Sequence, residues 1–387
     1  MYDFKFSMPT QVHFGKGKEN IVGELIKKDT DKVLFLYGSG SIKKIGVYEK
    51  IVNSLKENHI QFTELGGVKS NPRLGLVNEG IDICRKEKID FILAVGGGSV
   101  IDTAKTIAIG VPYEGDVWDF YSGKATIEKS LPVGVVLTVP ATASETNGYA
   151  VLTNEKGMYK RGLKNEHMKP VFAILNPELT YSLSNYYMAA SVVDIFAHVW
   201  ERYFIKSEHS ELLDRLCEGV FKTLVKEGHS AVYERDYKST GDIMWASSIA
   251  HNDTLGMVGD FGSHRTGHEI SAEYDLSHGG SLGITMCAWA KYVYKEDINR
   301  FCRFAVHVWD VAYDFDNPEK TALEGIRRME SFIHELGIST TFKGANLPND
   351  GFEKMAERAI DNGLGYVGGG FKKLYKEDIV NIYKLAE

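Results

Sequence analysis

The amino-acid sequence predicts an α/β domain built on a parallel sheet, followed by an all-helical domain. In the first half of the chain, short apolar strands alternate with helical patterns, which is typical of a parallel sheet with helices on both faces. Beyond residue 184, long helical patterns dominate and strand-like alternation largely disappears. A chain of 387 residues is long enough for two domains. We therefore expect an α/β domain over residues 1–184 and an all-helical domain over residues 185–387.

Three strand–turn–helix units follow one another in the first domain. The apolar run VLFLYG stops at Gly38, and the turn after it leads into the helical pattern VYEKIVNSLKEN. A second strand, residues 61–65, is followed by a turn at Asn71 and Pro72 and then by another helix. The third strand, DFILAV, passes through the glycine-rich stretch 96–99 into the helical pattern VIDTAKTIAIG.

The glycine-rich loop after the third strand is a candidate phosphate site. Backbone N–H groups of such a loop approach a phosphate closely, and the dipole of the following helix favours its negative charge. This loop contains Gly97, Gly98 and Ser99. The earlier turn, at Gly38 and Gly40, does not have the strict GxGxxG fingerprint of a dinucleotide-binding turn. Glycines also make ordinary turns, so the loop alone is a weak signal. It favours a Rossmann-like domain that binds a dinucleotide.

A fourth buried strand, GVVL, runs into a stretch rich in small and hydroxyl residues. Thr138, Thr142 and Ser144 in this stretch either line a cofactor site or cap the segment that follows. A last strand, FAIL, precedes the turn NPELTYSLS, and we expect the domain to end near Ser184.

The stretch DFGSHRTGHEISAEYDLSHGG, residues 260–280, holds three imidazoles with spacings of four and then ten residues. A helix over residues 263–274 would place His264 and His268 on one face. His278 stands beside two glycines and is expected in a turn beyond the helix end. Neutral imidazole is the commonest transition-metal ligand, so this segment is a candidate metal site that needs a carboxylate from elsewhere.

The candidate carboxylate lies in MAASVVDIFAHVWERYF, where Asp194 and His198 are four residues apart. On a helix these two side chains point the same way. One carboxylate and three imidazoles would leave a divalent cation electrophilic enough to act as a Lewis acid. Either pair alone is more often an ordinary hydrogen bond, but here both pairs occur together with the glycine loop. A nucleotide and a Lewis-acid metal together indicate hydride transfer.

Composition and charge exclude several other classes of protein. The chain is 43% hydrophobic and 25% charged, which is ordinary for a globular protein. Its net charge is −7 and it contains no basic run, which argues against nucleic acid or an anionic membrane surface as the partner. The start MYDFKFSMPTQ has neither the basic residues nor the apolar run of a signal peptide. Four scattered cysteines are expected to be buried thiols in a reducing cytoplasm. They are Cys84, Cys217, Cys287 and Cys302.

With these motifs, the chain resembles the iron-containing (group III) alcohol dehydrogenases, in particular the NADPH-dependent branch of butanol dehydrogenases and aldehyde reductases. The resemblance covers nearly the whole chain. It implies a dehydroquinate synthase-like architecture and a metal-dependent, NADP(H)-linked enzyme that acts mainly as an aldehyde reductase. It is carried by PTQVHFGKG, YGSGSIKKIGV, AVGGGSVIDTAK, TVPATASETNG, VVDIFAHVWE and the HxxxH segment with its final His278.

The resemblance also implies which residues bind the metal, ferrous iron as the first expectation and zinc as the alternative. The matching positions are Asp194, His198, His264 and His278. His268 would then lie in the site without being a ligand. It would orient the substrate or relay a proton, or it would only hydrogen-bond a neighbouring group.

For the cofactor, the resemblance implies a longer set of residues. They are Gly38, Ser39, Ser41, Asn71, Gly97, Gly98, Ser99, Asp102, Thr138, Thr142, Ser144, Asn147 and Lys160. Family members that use NAD often carry an acidic residue where this chain has Ser39. Because a carboxylate there would repel a 2′-phosphate, NADP(H) is the expected cofactor and NAD(H) the alternative.

The sequence leaves two alternative functions, and it also leaves two alternative roles for Arg265. A glycerol-dehydrogenase-like polyol oxidoreductase with zinc and NAD is the nearer alternative, and a non-catalytic nucleotide- and metal-binding protein is the alternative from another class. Arg265, next to a predicted ligand, either binds an acidic substrate or points to solvent. The resemblance further implies a homodimer formed through the N-terminal strand.

Overall fold

The first half of the chain forms the predicted parallel sheet. The computed structural model describes residues 3–157, 159–206 and 210–387. Six strands of this described part form one sheet, in which every pairing is parallel. In chain order the strands of this half are β1 (Gln11–Phe14), β2 (Lys32–Tyr37), β3 (Gln61–Leu65), β4 (Phe91–Gly96), β5 (Val133–Leu137), β6 (Tyr149–Asn154), β7 (Tyr159–Lys164) and β8 (Phe172–Leu175).

Helices connect these strands. Before residue 184 they are α1 (Val22–Ile26), α2 (Ser41–Lys44), α3 (Val47–Glu57), α4 (Leu74–Glu87), α5 (Gly98–Gly110) and α6 (Trp118–Tyr121). β4 and β5 are buried along their whole length, as expected of parallel strands covered on both faces. The predicted strand at residues 61–65 is confirmed at its stated bounds, and the others lie within a residue or two of their apolar runs.

The order of strands creates a reversal point in the sheet. The order is β1-β8-β5-β4-β2-β3, so the chain moves outward from β2 to β3 and then returns to the other side of β2 to form β4. In open α/β sheets, ligands bind at the carboxyl ends of the strands beside such a reversal. The turn at Gly38 follows β2, and the glycine loop at Gly97 follows β4. Both predicted cofactor turns therefore lie at the reversal point.

The hairpin β6–β7 was not predicted from the sequence. Its strands pair antiparallel from Tyr149↔Lys164 to Asn154↔Tyr159. The hairpin docks beside the turn before α4, where Thr153 N donates to Pro72 O. β7 has the sequence YKRGLK and is almost entirely exposed, so it lacks the apolar pattern that indicates a strand.

The second half of the chain is helical, as predicted. Its helices are α7 (Asn185–Tyr203), α8 (Glu211–Tyr233), α9 (Tyr237–Ala250), α10 (Gly262–Tyr274), α11 (His278–Val293), α12 (Ile298–Trp309), α13 (Pro318–Glu335), α14 (Phe352–Ile360) and α15 (Lys376–Lys384). A short hairpin is formed by β9 (Val367–Gly368) and β10 (Lys373–Leu374), each two residues long, and was not predicted from the sequence. Among the described residues, no helix is both long and apolar enough to cross a membrane.

Two compact units divide the chain. The sheet unit comprises Phe6–Ser182 and Ser247–Asn252, and the helical unit comprises Leu183–Ala246 and Asp253–Glu387 with the N-terminal residues 3–5. The last turn of α9 thus belongs to the sheet unit. The extents 1–184 and 185–387 stay a prediction.

Candidate active site

The helical unit brings together the carboxylate and the imidazoles singled out in the sequence. Asp194 and His198 lie on the same face of α7, and His264 lies on α10. One ligand atom from each of these three residues lies within 4.8 Å of the others. His278 joins them, since its Nε2 is 3.5 Å from Asp194 Oδ1. The predicted helix over 263–274 is observed, starting one residue earlier at Gly262.

The sequence had indicated that His278 lies in a turn. In the structure it is the first residue of α11. The helix begins there because Ser277 is its N-cap, with the serine side chain accepting a hydrogen bond from Gly280 N at 3.2 Å. Such a cap was not recognised beside the two glycines. At the start of α11, the His278 side chain remains 31% exposed. The other three members of the cluster are buried.

Asp194 is the centre of this cluster. Its Oδ1 lies 3.5 Å from His198 Nδ1 and 3.9 Å from His264 Nε2. Asp194 Oδ1 and His264 Nε2 are buried and make no hydrogen bond within the described part of the chain. Burial raises the pKa of the Asp194 carboxyl well above its usual range, because desolvation disfavours its charged form.

These atoms fit a divalent cation. An unsatisfied carboxylate oxygen and an unsatisfied imidazole nitrogen in one buried cluster are costly to keep unless a proton or a cation satisfies them. Imidazole and carboxylate ligands suit iron and zinc alike. The cluster could therefore hold either metal, with Asp194, His198, His264 and His278 as its ligands.

Glu201, which sequence reasoning missed, orients His264. Its Oε1 accepts hydrogen bonds from Ser263 Oγ at 2.6 Å and from His264 N at 2.9 Å, and lies 3.0 Å from His264 Nδ1. A proton on Nδ1 that donates to this carboxylate leaves the lone pair on Nε2, the nitrogen nearer Asp194. The signal was available in the sequence, because Glu201 stands seven residues after Asp194 and three after His198, on one helical face.

His268 lies beside the cluster, whereas the side chain of Arg265 is exposed to solvent. The His268 ring is 5.0 Å from the His278 ring and 6.4 Å from the His264 ring, measured between centroids. His268 is half-buried, whereas Arg265 is exposed. Of the two alternatives for Arg265, its exposure favours the one that points to solvent.

In the sheet unit, the glycine loop and the segment after β5 approach each other closely. A Cβ atom on Gly98 would lie 2.8 Å from Thr142 Oγ1, and one on Gly97 would lie 2.9 Å from Val139 Cβ. Thr138 N donates to Gly96 O at 3.0 Å. Larger residues would separate these segments, so the glycines are required by the packing of the loop itself.

Several predicted cofactor residues are hydrogen-bonded to one another. Ser144 Oγ donates to Asp102 Oδ1 at 2.7 Å, and Lys160 Nζ donates to Asn71 Oδ1 at 2.8 Å. The first turn also lies close to the glycine loop, because a Cβ on Gly38 would be 3.9 Å from Val100 Cγ2.

The two serines of the first turn, Ser39 and Ser41, are exposed. The first turn, the glycine loop and the segment of residues 138–147 follow the carboxyl ends of β2, β4 and β5, whereas Asn71 follows β3 and Lys160 lies on β7. Their roles toward a cofactor stay predictions.

Lys105 is a second residue that sequence reasoning missed. It is fully buried, and its Nζ donates to Ser144 Oγ, to Asn147 O and Oδ1 and to Tyr149 O at 2.8–3.1 Å. Burial lowers the pKa of Lys105 to about 8, and the negative charges of Asp102 and Glu145 oppose that shift. Its place three residues after Asp102 on a helix was the available signal.

Comparison with protein families places both halves of the chain in one class of metal-dependent oxidoreductases. Residues 9–177 match the family model "Iron-containing alcohol dehydrogenase", and residues 188–386 match "Fe-containing alcohol dehydrogenase family, C-terminal". The chain therefore belongs to the iron-containing alcohol dehydrogenase family and is an alcohol oxidoreductase. The predicted resemblance is confirmed, and membership implies a nicotinamide cofactor and iron. It also excludes the alternative of a non-catalytic binding protein.

Individual relatives are similar over their full length. The chain is 38% identical to "NADH-dependent butanol dehydrogenase A" of Clostridium acetobutylicum, with 99% of each chain covered. It is 33% identical to "NADPH-dependent aldehyde reductase YqhD" of Escherichia coli, with 95% of each chain covered. The crystal structure of NADH-dependent butanol dehydrogenase A from Thermotoga maritima superposes with a TM-score of 0.95 at 37% identity, covering 100% of this chain and 99% of that one. The predicted two-domain fold is thereby confirmed.

Proposed function

We propose that the protein is an NADP(H)-linked aldehyde reductase that uses ferrous iron and also works in the reverse direction as an alcohol dehydrogenase. The observation that carries the metal dependence is the buried cluster around Asp194, whose Oδ1 lies within 4 Å of nitrogens of His198, His264 and His278. Relatives named for butanol and for aldehydes support a small carbonyl substrate and its primary alcohol.

The residues of the cluster have distinct tasks in this proposal. Asp194, His198, His264 and His278 hold the metal, and Glu201 keeps His264 Nε2 directed at it. When bound, the metal supplies Lewis acidity toward the substrate oxygen. His268, half-buried beside His278, would orient the substrate or carry a proton.

Metal content and turnover together test this proposal. We expect metal-replete wild-type protein to contain about one divalent ion per chain and to oxidise NADPH with aldehydes of graded chain length. Asp194→Ala and His264→Ala should lose both metal and turnover but retain measurable NADPH binding. His229→Ala, which removes an exposed imidazole on α8, is the matched control and should retain both. Unchanged metal content in both cluster variants would refute the metal assignment.

Glycerol in the same assay addresses the polyol alternative. A higher kcat/KM with glycerol and NAD than with any aldehyde and NADPH would favour that alternative over the proposal. The panel therefore needs both cofactors with every substrate.

NADP(H) is the cofactor that we propose, although the names of the relatives include both NADH- and NADPH-dependent enzymes. The support comes from the first turn, residues 38–41, which contains no acidic residue. Ser39 and Ser41 are exposed at the carboxyl end of β2 and offer hydroxyl donors to a 2′-phosphate.

A charge placed on the first turn tests this choice. Wild-type protein should show a higher kcat/KM with NADPH than with NADH. Ser39→Asp should reverse or abolish that preference, because a carboxylate beside the 2′-phosphate repels it. Ser39→Ala removes the hydroxyl without adding charge and should keep NADPH preferred. If wild-type protein already prefers NADH, this interpretation of the turn is wrong.

We also propose a cytoplasmic homodimer. The support for the compartment is that all four cysteines, each among the described residues, are buried free thiols, as expected in a reducing environment. The support for the dimer is that β1 is an edge strand of the sheet.

A further inference from the structure

Lys105 connects two parts of the sheet unit that are predicted to contact the cofactor. It lies on α5, the helix that begins in the glycine loop at Gly98. Its ammonium donates to Ser144 Oγ at 2.9 Å and to both Asn147 O at 2.8 Å and Asn147 Oδ1 at 3.1 Å. A further hydrogen bond of 2.8 Å reaches Tyr149 O, where β6 begins. One buried cation thus binds several oxygens of a single segment.

Asp102 completes the connection from the same helix. Its Oδ1 accepts a hydrogen bond from Ser144 Oγ at 2.7 Å, and its Oδ2 accepts one from Val151 N at 3.0 Å. Ser144 therefore accepts from Lys105 and donates to Asp102. This arrangement places a half-buried carboxylate near a buried ammonium and satisfies both by hydrogen bonds, which is the condition under which buried charges are tolerated.

Asn147 also connects this segment to His251, in a third part of the sheet unit. Its Oδ1 also accepts from Tyr149 N at 2.9 Å, and its Nδ2 donates to Thr142 O and to His251 O, each at 3.1 Å. The Asn147 side chain is therefore held at both ends. Without the donor at Lys105, its oxygen would lose a charged partner in a buried site.

We propose that Lys105 is a positioning residue of the cofactor site, which holds the segment of Ser144 and Asn147 against the glycine loop at the start of α5. The inference rests on the proposed function. Lys105, Ser144 and Asn147 are all buried, so Lys105 acts by fixing these segments and not by touching the cofactor. Since α5 begins in the glycine loop, the same hydrogen bonds fix the loop relative to Ser144 and Asn147.

The test compares Lys105→Met with Thr106→Val, a variant that removes a different buried hydrogen bond from the same helix. Thr106 Oγ1 donates to Asp102 O and lies 2.7 Å from Tyr121 OH, and it contacts neither Ser144 nor Asn147 in these hydrogen bonds. Thr106→Val therefore controls for the general cost of removing a polar group from α5. Both variants are measured as metal-loaded protein with NADPH as the titrant.

Lys105→Met should raise the dissociation constant and KM for NADPH by about tenfold or more, because it removes the charged donor that Ser144, Asn147 and Tyr149 share. Metal content and the KM for butanal should stay near wild type. Lys105→Arg, which keeps the cation, should restore part of the affinity, and Thr106→Val should change it little. NADPH affinity at the wild-type level in Lys105→Met, or an equal loss in Thr106→Val, would overturn the proposal.

A second substitution covers the case in which Lys105→Met does not fold. Lys105→Gln keeps two N–H donors without charge, and it should show an intermediate loss of NADPH affinity. Wild-type affinity in a folded Lys105→Gln variant would also overturn the role of Lys105. Wild-type protein that oxidises neither NADPH nor NADH with any aldehyde would instead contradict the proposed function.

Discussion

His268 is one helical turn after His264, yet it falls outside the predicted set of metal ligands. Its ring is 5.0 Å from the ring of His278, a predicted ligand. An imidazole titrates near neutrality, so it suits proton transfer. We expect His268→Ala to keep near-normal metal content but to lower kcat on the order of a hundredfold, with a changed pH profile of kcat.

The same purified variants separate this role from ligation. His264→Ala, on the same face of α10, is the comparison because it should lose the metal. If His268→Ala also lost its metal, His268 would be a ligand and one of the four assigned residues would not be.

At this scale, the sequence indicated the residues that bear chemistry but not those that orient them. The histidines and Asp194 stand out through their spacing and rarity. Glu201 and Lys105 belong to residue types that occupy most helix surfaces, so their helical spacing from Asp194, His198 and Asp102 does not by itself separate them from solvated charges. Only the fold shows that both are buried, with 1% and 0% of their surface exposed.

At the scale of elements, the approach of α11 to α7 fixes the distance between His278 and Asp194. Gly279 is where these helices meet, because a Cβ there would lie 1.9 Å from Ala190 O. That neighbour is backbone and cannot rotate away. Gly279→Ala should therefore lower the free energy of unfolding by about 3 kcal/mol and reduce metal content, because α11 must move and carries His278 with it.

Gly219→Ala on α8 is the control for this prediction. A Cβ at Gly219 would point into open space, and the residue is exposed. Alanine there should raise the free energy of unfolding by roughly 0.5–1 kcal/mol, since it favours the helix. Denaturant unfolding and elemental analysis measure both effects. Equal stability of the two variants would show that α11 and α7 can separate at little cost.

The elements themselves were predictable where burial dominates. β2, β4 and β5 are continuous apolar runs between turn residues, and that pattern leaves few alternatives to a buried parallel strand. The hairpin β6–β7 was not predictable, because an exposed strand such as YKRGLK is fixed by backbone pairing and by docking at Pro72. The start of α11 depended on one serine cap whose role is visible only in three dimensions.

At the scale of the whole molecule, one edge of the main sheet carries an exposed apolar patch. β1 is the edge strand beside β8, and Phe14 on β1 is 39% exposed. Phe6 and Met8 just before it are 47% and 40% exposed. An exposed edge strand flanked by apolar side chains is a template for pairing with another chain. A second copy of the chain would cover this patch in the proposed homodimer.

The hydrogen bonds of β1 specify a substitution that tests this dimer. Gln11 N donates to Val171 O, and Gly15 N donates to Leu175 O, so alternate N–H groups point at β8. The N–H of Val12 points the other way, toward the edge. Val12→Pro removes that donor without removing a bond to β8, and should convert a dimer into a monomer, as measured by light scattering. Val12→Thr keeps the N–H and should stay dimeric, whereas a dimeric Val12→Pro would place the interface elsewhere.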